Sequence, residues 1–208
     1  MIQKLNRINV EKKLKLMGIS IFSPIEFRNI FGVSPNTASA FIKRNIKSGL
    51  FLKLRSGFYM ISDSNPALYL IANKLYEPSY VSLNTALSHY GIIPEVVYAV
   101  TSITTKASRE FNTPKGSLIY QKIKKEAFTG YGLKLIDNDN VLIAEPEKAL
   151  ADYLYFVDLK KVSLSDRLEL KKIKKDELIK FVKLFKHESM FKLVDQIYAE
   201  YKKPRKVY

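Results

Sequence analysis

Two serine–proline pairs at Ser23-Pro24 and Ser34-Pro35, each followed by a helix-length segment and a glycine, constrain the first third of this chain most tightly. In Ser23-Pro24-Ile25-Glu26 the serine is placed to N-cap a helix, and proline takes the first helical position, where no N–H is needed. Glu26 stands where its side chain reaches back to the cap. That helix is short, 24–31, and stops at Gly32-Val33. Ser34-Pro35 opens a second at once, predicted to run to about Ser48 with Gly49 as its left-handed stop. Two capped helices joined by a tight glycine turn form a helix-turn-helix. Upstream, Ile2, Leu5, Val10, Leu14 and Met17 recur at helical intervals and Gly18 closes that segment. Downstream the period falls to two. Leu50, Leu52 and Leu54 alternate with Phe51, Lys53 and Arg55, and Ser56-Gly57 turns the chain into Phe58-Tyr59-Met60-Ile61. Helix, helix-turn-helix and hairpin in this order predict a winged helix over 1–62.

The second capped helix has two unlike faces. At ~100° per residue, Ala38, Phe41, Ile42 and Ile46 cluster on one side. Asn36, Ala40, Lys43 and Lys47 lie almost opposite, with Ser39 and Arg44 flanking. Small, polar and basic residues opposite an apolar face suit a helix that enters the DNA major groove. The predicted DNA-contacting residues are Ser34, Asn36, Thr37, Ser39, Ala40, Lys43, Arg44 and Lys47. Lys53 and Arg55 of the hairpin join them, against phosphate or in the minor groove. Asn45 falls in the middle of the apolar face and requires a buried partner.

Charge supports a polyanion partner through its distribution. Residues 1–61 carry a net +9, residues 62–158 a net −2 and residues 159–208 a net +8, within a total of +15. Compositional bias explains why 28 lysines accompany 7 arginines, but not a near-neutral middle between basic ends. Double-stranded DNA is the expected partner, ahead of a membrane surface.

Beyond the head, helices are predicted over 66–75 and 83–90, the latter capped by Ser82 and ended by Gly91. Strands are predicted over 96–105, 117–123, 131–136 and 141–144, with Asp137-Asn138-Asp139-Asn140 as a turn. Glu145-Pro146-Glu147 starts a helix to about Val157, and from Ser165 onward the chain reads as helical and lysine-rich. The expected fold is α+β. A winged helix-turn-helix (1–62) precedes an α+β domain with a mostly antiparallel sheet (63–158), and a basic helical extension (159–208) packs on it. The final KKPRKVY reads as a basic tail.

Composition excludes several chemistries. There is no cysteine, hence no disulfide, zinc–thiolate site or thiol nucleophile, and only two histidines, His89 and His187. No apolar run approaches the ~20 residues that span a bilayer, and no secretory leader is evident, so a cytoplasmic location is expected. His89 lacks a Ser or Cys partner motif. Asp137, Asp139, Glu145 and Asp158 show no metal-binding spacing, and Gly130-Tyr131-Gly132 is too short for a phosphate loop. We expect no enzyme activity, metal or cofactor. The alternatives are a ligand-responsive regulator with aromatic residues lining a pocket and, further off, a metal-dependent nuclease.

Three segments together carry a family resemblance. Arg55-Ser56-Gly57-Phe58-Tyr59, residues 80–95 (YVSLNTALSHYGIIPE) and residues 144–154 (AEPEKALADYL) resemble the AbiEi-type antitoxins of type IV toxin–antitoxin systems, which act in abortive infection of phage. The likeness spans roughly 20–157, with Lys148 where the family often has Arg. It implies a winged-helix domain that represses its own operon at promoter inverted repeats. It also implies a second domain opposing a nucleotidyltransferase-like toxin without a stable complex. We place the expected antitoxicity surface at Ser82, Asn84, Thr85 and His89, with Arg109 and Lys148. Taken singly, Ser82 also reads as a plain N-cap and Lys148 as a solvated helix residue.

Overall fold

A computed structural model describes residues 5–201, so Ile2 and the basic run at 202–208 lie outside the described residues. The chain opens with α1 (Arg7–Leu16), capped by Asn6, whose side chain accepts the Ile8 N–H at 2.9 Å. A short strand β1 (Ile21–Phe22) follows, then α2 (Pro24–Phe31), α3 (Pro35–Lys47) and the hairpin β2 (Phe51–Arg55) and β3 (Phe58–Ile61). Both serine–proline starts form as their spacing requires. Ser23 Oγ accepts the Glu26 N–H at 3.2 Å, and Glu26 Oε2 accepts the Ser23 N–H at 2.7 Å, which closes the capping box. Ser34 Oγ accepts the Thr37 N–H at 3.2 Å. Gly32 ends α2 at φ 61°, a conformation that strains residues with a Cβ.

The faces of these helices meet in one apolar cluster that includes Val10, Leu14, Phe27, Phe31, Phe41, Ile42 and Phe51. The Phe27 ring lies 4.6 Å from Phe31 and 5.7 Å from Phe41. Each such burial contributes up to about 1.5–3 kcal/mol, which a three-helix unit with a small sheet needs. The sheet is antiparallel, in the order β1-β3-β2. Asn45 is buried and finds its partners within its own helix and cap. Its Nδ2 donates to the Phe41 carbonyl at 2.8 Å, and its Oδ1 accepts from Ser48 Oγ at 3.4 Å.

The remaining chain builds α4 (Leu68–Leu75), β4 (Ser79–Val81), α5 (Leu83–His89), β5 (Ala99–Thr104), β6 (Arg109–Thr113) and β7 (Gly116–Lys122). β8 (Tyr131–Ile136), β9 (Asp139–Ala144), α6 (Pro146–Asp158), α7 (Lys175–Phe185) and α8 (Ser189–Tyr201) complete it. A six-stranded sheet runs β6-β7-β5-β4-β9-β8. β5–β7 and β4–β9 pair in parallel and the other neighbours antiparallel, so the fold is α+β with mostly antiparallel sheets. Residues 137 and 138 turn β8 into β9 with φ 50° and 67°, the left-handed pair of a two-residue I′ turn.

Three expectations need correction. β4 and β6 are strands that periodicity does not indicate: β4 is three residues long and buried throughout, so it has no alternation to read. The chain is not continuously helical from Ser165: one 3-10 turn at Leu170–Lys172 precedes α7, which begins only at Lys175. Residues 165–174 instead run along the surface, burying only Leu168, Leu170 and Ile173. Ser165 N–H donates to Tyr153 Oη at 2.8 Å and Glu169 N–H to the Ile92 carbonyl at 2.8 Å. Ser82 precedes α5 but makes no capping bond; its hydroxyl is spent elsewhere.

α7 and α8 bury Leu178, Val182, Phe185, Val194 and Ile197 in the same cluster as sheet residues Tyr80, Ile103 and Ile143. Ile21, Leu54 and Met60 also join this larger cluster, so the hairpin side of the N-terminal unit is packed against the second. Among the described residues no helix is long and apolar enough to cross a membrane.

Candidate nucleic-acid interface and a buried ionic cluster

α3 separates its residues as its periodicity requires. Ala38, Phe41 and Ile42 are buried, whereas Ser34, Asn36, Thr37, Ser39, Ala40, Lys43, Arg44 and Lys47 are exposed. No acidic side chain lies on this helix. Lys43, Lys47 and Lys53 make no ion pair among the described residues, leaving their charge available to a polyanion. Ser34 and Thr37 are partly committed, since their hydroxyls lie 2.8 Å apart within the cap. The Arg44 guanidinium sits 5.6 Å from the Phe41 ring on its own helix.

Arg55 departs from its expected role. Its Nε donates to the Leu75 carbonyl at 3.1 Å, its Nη2 donates to the same oxygen, and Nη1 donates to the Ser56 carbonyl at 3.0 Å. The guanidinium lies 4.3 Å from the Phe58 ring and 4.9 Å from the Phe111 ring. Burial, with nearby Arg109, lowers its pKa, yet a guanidinium stays charged. The hairpin's outward cation is therefore Lys53 alone.

The expected antitoxicity residues do not form one surface. Ser82, Thr85 and Lys148 are buried. Asn84 is half-buried and His89 exposed, while Arg109 lies on β6 close enough to influence Arg55. Thr85 Oγ1 accepts the Thr101 N–H at 2.8 Å, tying α5 to β5. Lys148 is neither a solvated helix residue nor a surface cation. It forms a fully buried ion pair with Asp152 one turn along α6, and its ammonium lies 4.8 Å from the Phe185 ring. Asp152 Oδ2 accepts from Ser82 Oγ at 2.7 Å and from Tyr80 Oη at 3.0 Å. Burial pushes the Asp152 carboxyl up and the Lys148 ammonium down, while their contact opposes both shifts. Sequence reasoning does not single out Asp152 and Tyr80, although the four-residue spacing of Lys148 and Asp152 is a recognised helix pairing.

Between the two units, beside Ile21, lies a cleft of about 630 Å³. Ile21, Glu26, Asn29 and Ile30 line one side; Leu70, Lys74 and Asn140 line the other. Lys74 Nζ stands 3.9 Å from carboxylate oxygens of both Glu26 and Glu77. Among the described residues no group of three or more His, Asp or Glu is arranged to hold a metal ion. No family model matches the chain, and no curated protein matches it.

Proposed function

We propose that this chain is a cytoplasmic double-stranded-DNA-binding protein. In this reading residues 1–62 act as a winged helix-turn-helix, α3 enters the major groove and Lys53 lies against phosphate. One observation carries the reading: every candidate contact residue of α3 is exposed on a face without acid, while its opposite face is buried. By its resemblance to AbiEi-type antitoxins, we extend the proposal to an autorepressor of promoter inverted repeats. A cognate nucleotidyltransferase-like toxin is then opposed without a stable complex. The chain itself carries out no turnover in this proposal.

Fluorescence anisotropy with duplex DNA over a salt series tests the binding. Each phosphate neutralised contributes about −0.9 to the slope of log K against log salt. A slope near zero overturns the proposal. Rescue of growth when the chain is co-expressed with the product of the adjacent gene tests the antitoxin extension.

The cleft between the units favours a second reading, a DNA-binding regulator that responds to a small molecule. This cleft lies where the two units meet, as ligand sites often do, and sets Glu26, Asn29, Lys74, Asp139 and Asn140 beside apolar Ile21, Ile30 and Leu70. A thermal shift on metabolite addition that also changes DNA affinity would select this reading.

A further inference from the structure

We propose that Arg55 is a positioning residue, one that pins the hairpin of the N-terminal unit to the end of α4 and sets the angle at which α3 is presented. The inference rests on the DNA-binding reading for its consequence, but on geometry for the pin itself. Between Lys53 and Arg55 the β2–β3 register shifts, so that two steps along β2 oppose one along β3. A bulge of this kind re-aims a side chain. Lys53 remains outward, while Arg55 turns toward the second unit.

What it meets there is built to hold a guanidinium. Leu75 is the last residue of α4, so its carbonyl lacks a partner within the helix and lies at the negative end of the helix dipole. Nε and Nη2 converge on that oxygen. Phe58 comes from the hairpin itself and Phe111 from β6, so the cation lies between rings of both units. A lysine could supply the charge but not the planar fork. The two units also touch through Leu54, Met60 and Ile21, and beside Ile21 opens the cleft in which Glu26 and Lys74 stand 3.9 Å apart. Apolar contact alone lets the units rock into that cleft; a directional bond to a helix end resists rocking.

The experiment uses the full chain. It has no cysteine, so Ile25→Cys on α2 and Lys192→Cys on α8, neither of them buried, take spin labels uniquely. The distance distribution between them is measured in the parent and in Arg55→Ala, Arg55→Lys and Phe111→Leu backgrounds. Each variant is also titrated, over a salt series, with a duplex selected from random sequence by the parent chain. Arg55→Ala and Phe111→Leu are expected to broaden the distribution, with Arg55→Lys between them and the parent. Affinity for the selected duplex should fall about tenfold at unchanged salt slope, because the variants sacrifice a preorganised orientation and keep every phosphate contact. Should Arg55→Ala fail to fold, Phe111→Leu decides the question. Unchanged distributions overturn the proposal. So does a salt slope reduced by about 0.9 in Arg55→Ala, which would make Arg55 a phosphate ligand. If the parent binds no duplex, the DNA-binding reading fails, and the distance measurement still decides whether Arg55 pins the units.

Discussion

Lys148 and Asp152, one helical turn apart on α6, form an ion pair from which water is wholly excluded. Removing one partner strands the other charge in the core. Lys148→Met should therefore cost about 3–5 kcal/mol in urea denaturation, since Asp152 would keep only its hydroxyl donors. Lys148→Met combined with Asp152→Leu should cost much less than the sum of the two single changes. Additivity in that cycle would show that the two side chains act independently.

The exposed face of α3 divides into two kinds of residue. Lys43→Ala with Lys47→Ala should weaken binding to all duplexes alike and flatten the salt slope by about 0.9 for each phosphate no longer neutralised. Asn36→Ala or Ser39→Ala should instead cost roughly 1–3 kcal/mol on a selected duplex and little on random DNA. Equal effects on both DNAs would assign Asn36 and Ser39 to the phosphate backbone.

His89 supplies a pH dependence. Although the side chain is exposed, partial desolvation, with the nearby Lys134 ammonium and against Asp137, lowers its pKa from the ordinary 6.5. The folded chain then holds this proton less readily than the unfolded chain. Stability present above about pH 6.5 is lost as pH falls through the lower folded value. Denaturation midpoints measured at about pH 7.5 and 5.5 should fall more in the parent chain than in His89→Gln. Parallel curves would remove His89 as the cause.

Gly130 combines φ 73° with a Cβ direction occupied by Phe181, whose Cζ would stand 2.7 Å away. Gly130→Ala should cost about 1–2 kcal/mol for the left-handed backbone and a further 1–3 kcal/mol for overpacking. At Gly32, also left-handed but with open space around it, alanine should show the backbone cost alone. Equal destabilisation at the two positions would mean that the Phe181 ring moves aside freely.

Much of the N-terminal unit and several later elements are legible in the sequence because their signals are local. A serine, a proline and a glutamate within four residues state where α2 starts, and Gly32 states where it stops. The exposed face of α3 follows from its apolar period. The Asp137-Asn138 turn needs only two residues that tolerate positive φ. β4 is not legible, since three buried residues have no alternating pattern and owe their strand to neighbours from residues 102–104 and 143. Residues 165–174 mislead because they lead without a break into the pattern of α7, whereas the folded chain lays them along the surface with one 3-10 turn at Leu170–Lys172, anchored by Leu168, Leu170 and Ile173.

Local sequence dictates where helices begin, which face of α3 stays free and where the positive charge concentrates. These depend on neighbours within a few residues, and capping bonds, glycine conformations and helical period act at that range. The fates of Arg55 and Lys148 are set by packing in three dimensions. A basic residue on a hairpin reads as a phosphate contact until a register shift aims it at a helix end contributed by residue 75. A lysine at the start of α6 reads as solvated until α5, α7 and the sheet close around it with Tyr80, Ser82 and Phe185. Burial of a charge depends on what packs over it, and those partners lie far away along the chain.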